Sequence, residues 1–259
     1  MLLRKQTLTQ EARKQFGLFT NPFTDDVQSH EDLFVSADIR YVRESMYLTA
    51  KQGGFMAVVG EPGAGKSTLR RDLIDRLVRE SLPVIVIEPY ILAMEDNDVK
   101  GKTLKASHIA EAILNTIAPL ESVKRSPEAR FRQLHRVLRD SSRAGHRHVL
   151  IIEEAHSLPQ PTLKHLKRFF ELEDGFRKLL SIILIGQPEL ALKLSEQNQE
   201  VREVVQRCEV VRLAPLDELS LASFLKFKFD RISKSLGEVI DASGIEAIAR
   251  RLTISQSRK

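Results

Sequence analysis

Short apolar runs alternate with helical patterns along most of this chain of 259 residues. Five runs rich in valine and isoleucine predict buried parallel strands at residues 55–59, 84–87, 149–152, 179–185 and 210–213. Apolar positions three and four residues apart predict helices over about 67–79, 106–117, 127–143, 160–173, 219–235 and 241–252. Strands that alternate with helices are typical of a doubly wound α/β fold, so we expect a five-stranded parallel sheet flanked by helices.

The pattern becomes purely helical after Pro215, which predicts a domain boundary at that point. We expect an N-terminal arm over residues 1–25, an α/β core over 26–215 and a short helical lid over 216–259. The last predicted helix ends close to Lys259. This leaves open whether the helical lid is complete.

Composition favours a soluble globular protein, with 42% hydrophobic and 29% charged residues. The longest apolar run, residues 179–185, is far shorter than the roughly 20 residues of a membrane helix. The first residues lack the apolar segment of a signal peptide, so we expect a cytoplasmic protein without a membrane partner. The single cysteine, Cys208, excludes an internal disulfide framework and is expected to be a small core residue.

Residues 60–67, GEPGAGKS, fit the phosphate-loop pattern G-x-x-x-x-G-K-[ST] between a predicted strand and a predicted helix. Glycines let successive backbone N–H groups point at phosphate oxygens, and the helix N-terminus adds its positive dipole end. We expect Lys66 to reach the β- and γ-phosphates of ATP and the hydroxyl of Ser67 to bind Mg²⁺. The predicted nucleotide-binding residues are Gly60, Glu61, Pro62, Gly63, Ala64, Gly65, Lys66, Ser67 and Thr68.

Two carboxylates, Glu153 and Glu154, follow the third predicted strand, as in a Walker B segment. We expect Glu153 to hold Mg²⁺ or its waters and Glu154 to polarise the attacking water. Aspartate is usual at the first position, so the longer Glu153 is expected to reach the metal through water. His156 is either a contact to the γ-phosphate or an ordinary loop histidine. Gln187, at the tip of the fourth predicted strand, is the predicted sensor residue because adjacent parallel strands end side by side.

Together these segments resemble the AAA+ ATPases. The stretches FGLFTNPF (16–23), IEEAH (152–156) and IGQPEL (185–190) are similar to a subgroup of secretion-pathway A-type ATPases and target-DNA regulators of transposons. Within that subgroup, residues 16–215 most resemble the DNA transposition protein B family of Mu-like phages. The resemblance implies an ATPase that assembles with itself, as a ring or a helical filament, on duplex DNA and selects the target of a DDE transposase. Hydrolysis is expected to be slow and stimulated by oligomerisation or DNA.

The resemblance also implies an arginine that reaches the nucleotide of a neighbouring subunit, placed just before the fifth strand. Arg207 is the best match, and Arg202 is the alternative. A guanidinium donated in this way stabilises charge on the leaving phosphate and makes ATP a signal for oligomerisation. A surface ion pair is the competing interpretation of either arginine.

A net charge of +5 and a pI of about 9.3 are compatible with a nucleic-acid partner. Lysine and hydroxyl groups suit contacts to backbone phosphates, and the absence of tryptophan disfavours stacking on single strands. The candidate DNA contacts lie in the loop after the second strand and on the helix after the two carboxylates: Lys100, Lys102, Thr103, Lys105, Lys164, Lys167 and Arg168. Acidic residues in that loop favour the alternative of a solvated loop.

A second basic surface is predicted on the helix over 127–143, whose arginines fall on the face opposite its apolar residues. A solvated outer face is the alternative explanation. Two other functions remain open for the whole chain. One is a secretion-type AAA+ ATPase, although no membrane span is predicted. The other is a scaffold AAA+ ATPase that does not act on DNA.

Overall fold

The structure is a computed structural model, and it describes residues 8–23, 27, 29–89, 104–195, 197–198 and 201–256. The chain forms two compact units, residues 37–215 and residues 1–36 together with 216–259. Within the described residues, no helix has the length and apolar character needed to cross a membrane. The domain boundaries expected from the sequence stay predictions.

The observed strands and most of the longer helices match the predicted elements, but the 16-residue helix Ala37–Gln52 was not predicted. The strands are β1 (Phe55–Gly60), β2 (Val84–Ile87), β3 (Arg147–Ile152), β4 (Glu173–Asp174), β5 (Arg177–Lys178), β6 (Ser181–Gly186) and β7 (Glu209–Leu213). The α-helices are α1 (Gln10–Phe16), α2 (Ala37–Gln52), α3 (Lys66–Arg79), α4 (Ala106–Ile117), α5 (Pro127–Arg143), α6 (Gln160–Phe170), α7 (Pro188–Lys193), α8 (Arg202–Val205), α9 (Glu218–Asp230) and α10 (Ala242–Gln256). All five predicted strands are confirmed, and their ends differ from the prediction by no more than two residues.

The five long strands form one parallel sheet in the order β2-β3-β6-β1-β7. Strand β6 therefore lies between β1 and β3, with Val59 beside Gly186 and Ile152 beside Leu184. Because the strands are parallel, their carboxyl ends meet at one edge of the sheet. This confirms the predicted α/β fold and places the phosphate loop, the two carboxylates and the tip of β6 at the same edge.

Helices cover both faces of this sheet. On β1, Phe55, Ala57 and Val59 belong to a buried apolar cluster that also contains side chains of α4, α5 and α6. Met56 and Val58 alternate with them and are fully buried, so they face the opposite side, where α2 and α3 contact the sheet. Burial on both faces explains why the strands read as continuous apolar runs.

The helix predicted from the sequence over 160–173 is too long at its C-terminal end. The helix ends at Phe170, and a short antiparallel hairpin of β4 and β5 follows it. Gly175 has a φ of 62° at the turn, a left-handed conformation that glycine adopts at little cost. Similarly, the helix predicted over 219–235 ends at Asp230, because a turn with Ser233 at a φ of 55° interrupts it.

The smaller unit joins the N-terminal segment to the C-terminal helices. Phe34 packs against Phe224 and Phe227 of α9, with ring centroids 5.4 and 5.8 Å apart. Arg231 forms an ion pair of 2.5 Å with Asp32. These contacts connect parts of the chain that are almost 200 positions apart in sequence, so this unit depends on both ends of the chain.

Candidate nucleotide-binding site

The loop between β1 and α3 has the backbone shape of an anion cradle. Gly63 and Gly65 have φ angles of 83° and 91°, and a Cβ at either position would meet no atom within 4 Å. Glycine is therefore needed at both positions because of the left-handed backbone conformation, and not because a side chain would clash. Helix α3 begins at Lys66, so its first N–H groups have no partner inside the helix and face the loop. The strand, loop and helix that the motif requires are all present.

At the start of the loop, Gly60 is required for a different reason. A Cβ on Gly60 would lie 3.0 Å from the carbonyl oxygen and 3.2 Å from the Cβ of Leu213 on β7. The phosphate loop thus leaves the sheet in close contact with the neighbouring strand.

The ammonium of Lys66 lies inside the loop. Its Nζ donates hydrogen bonds to the carbonyl oxygens of Gly60 at 2.7 Å and Glu61 at 2.9 Å, and the side chain is buried. Burial is the largest cause of a lowered pKa at Lys66. The opposing electrostatic effects come first from Glu154 and then from Glu61 and Glu153. A cation enclosed by an open cradle of N–H groups fits a polyphosphate.

The two predicted metal ligands contact each other directly. The hydroxyl of Ser67 donates a hydrogen bond of 2.7 Å to Oε1 of Glu153. The other oxygen, Oε2, lies 3.1 Å from Nε of Arg70, which also pairs with Glu88 at the end of β2. A hydroxyl and a carboxylate are hard oxygen donors of the kind that Mg²⁺ prefers, and Mg²⁺ commonly keeps several waters. The donor set therefore fits the metal.

Arg70 and Glu88 were missed by the sequence interpretation, although each carried a signal. Glu88 directly follows a strand at the same sheet edge, and Arg70 lies three residues after Ser67 and so on the same helix face.

Glu154 diverges from Glu153 because its backbone is left-handed. Its φ and ψ are 46° and 33°, a conformation that costs a non-glycine residue about 1–3 kcal/mol. A 3₁₀ turn, Ala155–Ser157, follows, and the hydroxyl of Ser157 donates to the carbonyl oxygen of Glu154 at 2.6 Å. The Glu154 side chain remains 56% exposed. The two adjacent carboxylates therefore have different surroundings: that of Glu153 contacts Ser67 and Arg70, whereas that of Glu154 is largely exposed to solvent.

Gln187 lies at the tip of β6, between the strands that carry the phosphate loop and Glu154, as its predicted sensor role requires. Its backbone N–H donates to Nδ1 of His156 at 3.4 Å. Lys193 of α7 donates to the carbonyl oxygens of His156 and Leu158. The loop after Glu154 is thus fastened to the segment after β6.

Arg207 forms contacts within its own chain. Its guanidinium lies 3.1 Å from Glu171 and donates to the carbonyl oxygen of Glu203 at 2.9 Å. Lys167 pairs with the carboxylates of both Glu203, at 2.5 Å, and Glu171, at 3.7 Å. The predicted role of Arg207 in a neighbouring subunit stays a prediction, and so does that of Arg202, which is exposed.

The candidate DNA contacts are only partly described. Lys100, Lys102 and Thr103 lie outside the described residues, whereas Lys105 is exposed just before α4. On α6, Lys164 and Arg168 are exposed, and Lys167 is neutralised by its two carboxylate partners. The four arginines on the face of α5 opposite its apolar residues each pair with an acid, Arg132 with Glu128, Arg136 with Glu121, Arg139 with Asp140 and Arg143 with Asp174. These pairs favour the solvated outer face for α5.

Comparison with known proteins identifies the family and the fold. The general secretion pathway protein A of Aeromonas hydrophila is 28% identical over 181 residues, which are 68% of this chain and 30% of that protein. This chain thus spans less than a third of that relative. The ORC2 protein of Aeropyrum pernix in its ADPNP-ADP complexes has a TM-score of 0.54 at 16% identity, over 78% of this chain and 56% of that one.

Drosophila ORC bound to DNA has a TM-score of 0.52 at 16% identity, over 75% of this chain and 46% of that one. Such low identity supports the shared fold alone. The model of the AAA domain family matches residues 49–194, more than half of the chain. That range contains the phosphate loop, Glu153, Glu154 and Gln187. The chain therefore belongs to the AAA domain family of ATPases.

Proposed function

We propose that the protein binds ATP with Mg²⁺ at the phosphate loop and hydrolyses it with Glu154 as the group that polarises water. The separation of the two carboxylates is the observation that carries this proposal. Glu153 is engaged by Ser67 and Arg70, whereas Glu154 is exposed and exerts the largest electrostatic effect of any carboxylate on Lys66. An exposed carboxylate next to the phosphate-binding cation is placed to accept a proton from water.

The remaining parts of the site bind and orient the nucleotide. The backbone N–H groups of Gly63 and of residues 65–68 would hold the phosphates, and Lys66 would exchange its contacts to loop carbonyls for contacts to phosphate oxygens. Ser67 and Glu153 would hold Mg²⁺ and its waters. Mg²⁺, when bound, neutralises charge on the β- and γ-phosphates. Gln187 contacts the reacting phosphate or its water from the tip of β6.

An isolated chain has no neighbouring subunit to supply an arginine to its nucleotide, and its own Arg207 is held by the carboxylate of Glu171 and the backbone carbonyl oxygen of Glu203. We therefore propose that hydrolysis in the isolated chain is slow. In an oligomer, Arg207 would leave these partners and approach the nucleotide of a neighbouring subunit. Its charge then compensates the negative charge that develops on the phosphate. We therefore infer that turnover rises with oligomerisation.

We further propose that this ATPase assembles on duplex DNA without sequence preference and selects the target of a DDE transposase. The resemblance of residues 16–215 to transposition regulators supports this function, as does the net charge of +5. The fold is also shared with Drosophila ORC, a structure bound to DNA. Exposed Lys105, Lys164 and Arg168 are the described candidates for phosphate contacts. We place the protein in the cytoplasm.

A secretion-pathway function is the second candidate, because the relative of 28% identity is a general secretion pathway protein A. In that case the ATPase would not bind DNA. A scaffold role without DNA has the same consequence.

Binding of a labelled duplex, measured by fluorescence anisotropy with ATP, ADP or no nucleotide over a range of salt, separates these functions. The DNA proposal predicts binding that requires ATP, ignores sequence and weakens steeply with salt, by about 0.9 in the log–log slope for each phosphate neutralised. The double variant Lys164→Ala/Arg168→Ala should flatten that slope by up to about 1.8 per subunit. Arg132→Ala/Arg139→Ala removes the same charge from α5 and should leave the slope unchanged. No binding at low salt with ATP would overturn the DNA proposal and leave the other two.

A further inference from the structure

His156 lies between two parts of the candidate site that are remote in sequence. It belongs to the 3₁₀ turn that follows Glu154, and its side chain is 21% exposed. One ring nitrogen, Nδ1, lies 3.4 Å from the backbone nitrogen of Gln187. The other, Nε2, lies 3.6 Å from Oε2 of Glu154. The ring therefore bridges the tip of β6 and the carboxylate that we assign to water activation.

The two contacts define which nitrogen carries the proton. A backbone N–H is a donor only, so Nδ1 of His156 accepts the hydrogen bond from Gln187 and carries no proton in the neutral ring. The proton of the neutral imidazole then resides on Nε2, the atom that faces Glu154. Because of this tautomer, the ring offers a donor to the carboxylate and not a lone pair.

The backbone around His156 is held firmly enough to orient the ring. Lys193 donates to the carbonyl oxygens of His156 and Leu158, the latter at 3.0 Å. A Cβ on Gly186 would lie only 3.2 Å from the backbone nitrogen of His156, so the tip of β6 and this turn are in close contact. In contrast, the Glu154 side chain is over half exposed. The ring of His156 is therefore a fixed donor next to the exposed carboxylate of Glu154.

We propose that His156 is a positioning residue, which holds the carboxylate of Glu154 through Nε2 while Gln187 fixes the ring through Nδ1. The inference rests on the proposed role of Glu154 in hydrolysis. The separation of 3.6 Å is longer than a hydrogen bond, and contacts of this kind tighten when substrate arrives. His156 thereby links the strand tip that contacts the nucleotide to the orientation of Glu154.

Two conservative variants separate the contacts of the ring. In His156→Gln, the amide nitrogen takes the place of Nε2 and can still donate to Glu154. In His156→Asn, the amide oxygen takes the place of Nδ1 and can still accept from Gln187, but nothing reaches the carboxylate. His156→Ala loses both contacts. Steady-state hydrolysis, binding of a non-hydrolysable ATP analogue and melting temperature are measured for each variant of the full chain.

The proposal predicts that kcat falls about tenfold or more in His156→Ala and His156→Asn, since misplaced catalytic groups lose up to about 100-fold. His156→Gln should retain most of the rate, and analogue affinity should stay within about twofold in all three. His165→Ala, at an exposed position on α6, is the control and should match the wild type. Should His156→Ala melt early, the comparison of the Gln and Asn variants decides the outcome.

The inference is overturned by wild-type kcat in His156→Ala, by a higher kcat in that variant, or by activity retained in the Asn variant and lost in the Gln variant. The last result would show that the ring only anchors the loop. A separate result, wild-type turnover in Glu154→Gln, would instead overturn the proposed function. When Glu154→Gln is already slow, adding His156→Ala should slow it little further, because both changes act on the same step.

Discussion

Gly186 lies where β6 meets the loop after Glu154, and its replacement by alanine tests that close contact. The added Cβ would lie 2.8 Å from Cδ2 and 3.1 Å from Cβ of Leu190, and 3.2 Å from the backbone nitrogen of His156. Leu190 is fully buried, so any shift of its side chain must take place within the core. The backbone nitrogen belongs to the turn that Lys193 fastens, so it also cannot retreat at low cost.

Overpacking of this kind costs about 1–3 kcal/mol. The loss of backbone entropy in the unfolded chain offsets about 0.4–1 kcal/mol of that cost. The two ranges leave a net loss of about 0–2.6 kcal/mol in the free energy of unfolding, with a central value of about 1.3 kcal/mol. For a chain of this size, that central value lowers the melting temperature by about 3–5 °C. Hydrolysis should fall as well, because the tip of β6 and the loop after Glu154 would be pushed apart.

Thermal unfolding followed by circular dichroism measures the effect. Gly237→Ala is the control, since a Cβ there meets no atom within 4 Å and the residue has no positive φ. With no clash to offset the entropy effect, it should stabilise the protein by about 0.4–1 kcal/mol. Trimming Leu190 in the background of Gly186→Ala should recover part of the temperature loss caused by the clash. A Gly186→Ala protein with the melting temperature and the turnover of the wild type would refute this packing argument.

Three further outcomes follow from burial and charge. Lys66→Ala should abolish ATP binding measured by calorimetry, because the phosphates lose their enclosed cation; wild-type affinity would contradict the site. Burial raises the pKa of the Cys208 thiol to about 12, so alkylation at pH 8 should be slow in the native protein and fast in urea, and equal rates would be contrary evidence. Burial also lowers the pKa of His148 below its usual 6.5, so the unfolded chain binds the proton first and stability falls as the pH drops below about 6.5. His148→Gln should show a smaller fall in melting temperature between pH 7.5 and 5.5, and an identical fall would exclude this group as the cause.

The sheet and the phosphate loop could be predicted because their signals are local. A strand buried on both faces is mostly apolar, as β1, residues 149–152 of β3 and residues 182–186 of β6 show. The glycines at 63 and 65 mark left-handed backbone that other residues adopt only at a cost. The position of Gln187 between the loop and Glu154 then followed from the parallel arrangement of the strands.

The remaining features depend on contacts between distant segments, which local patterns do not encode. The pairs of Arg70 with Glu153 and of Arg207 with Glu171 require the final strand order and helix packing. The hairpin β4–β5 has strands of two residues, too short for an alternating pattern. The left-handed backbone of Glu154 could not be predicted from the sequence either, because nothing in a glutamate side chain favours that conformation.

Single-turnover hydrolysis of ATP by Glu154→Gln, compared with the wild type, tests the central claim most directly. The substitution keeps the size and the backbone strain of the side chain but removes the charge that accepts a proton from water. The account predicts that the variant binds ATP with an affinity within about threefold of the wild type and hydrolyses it at least about tenfold more slowly. Hydrolysis at the wild-type rate by the same purified variant would contradict it.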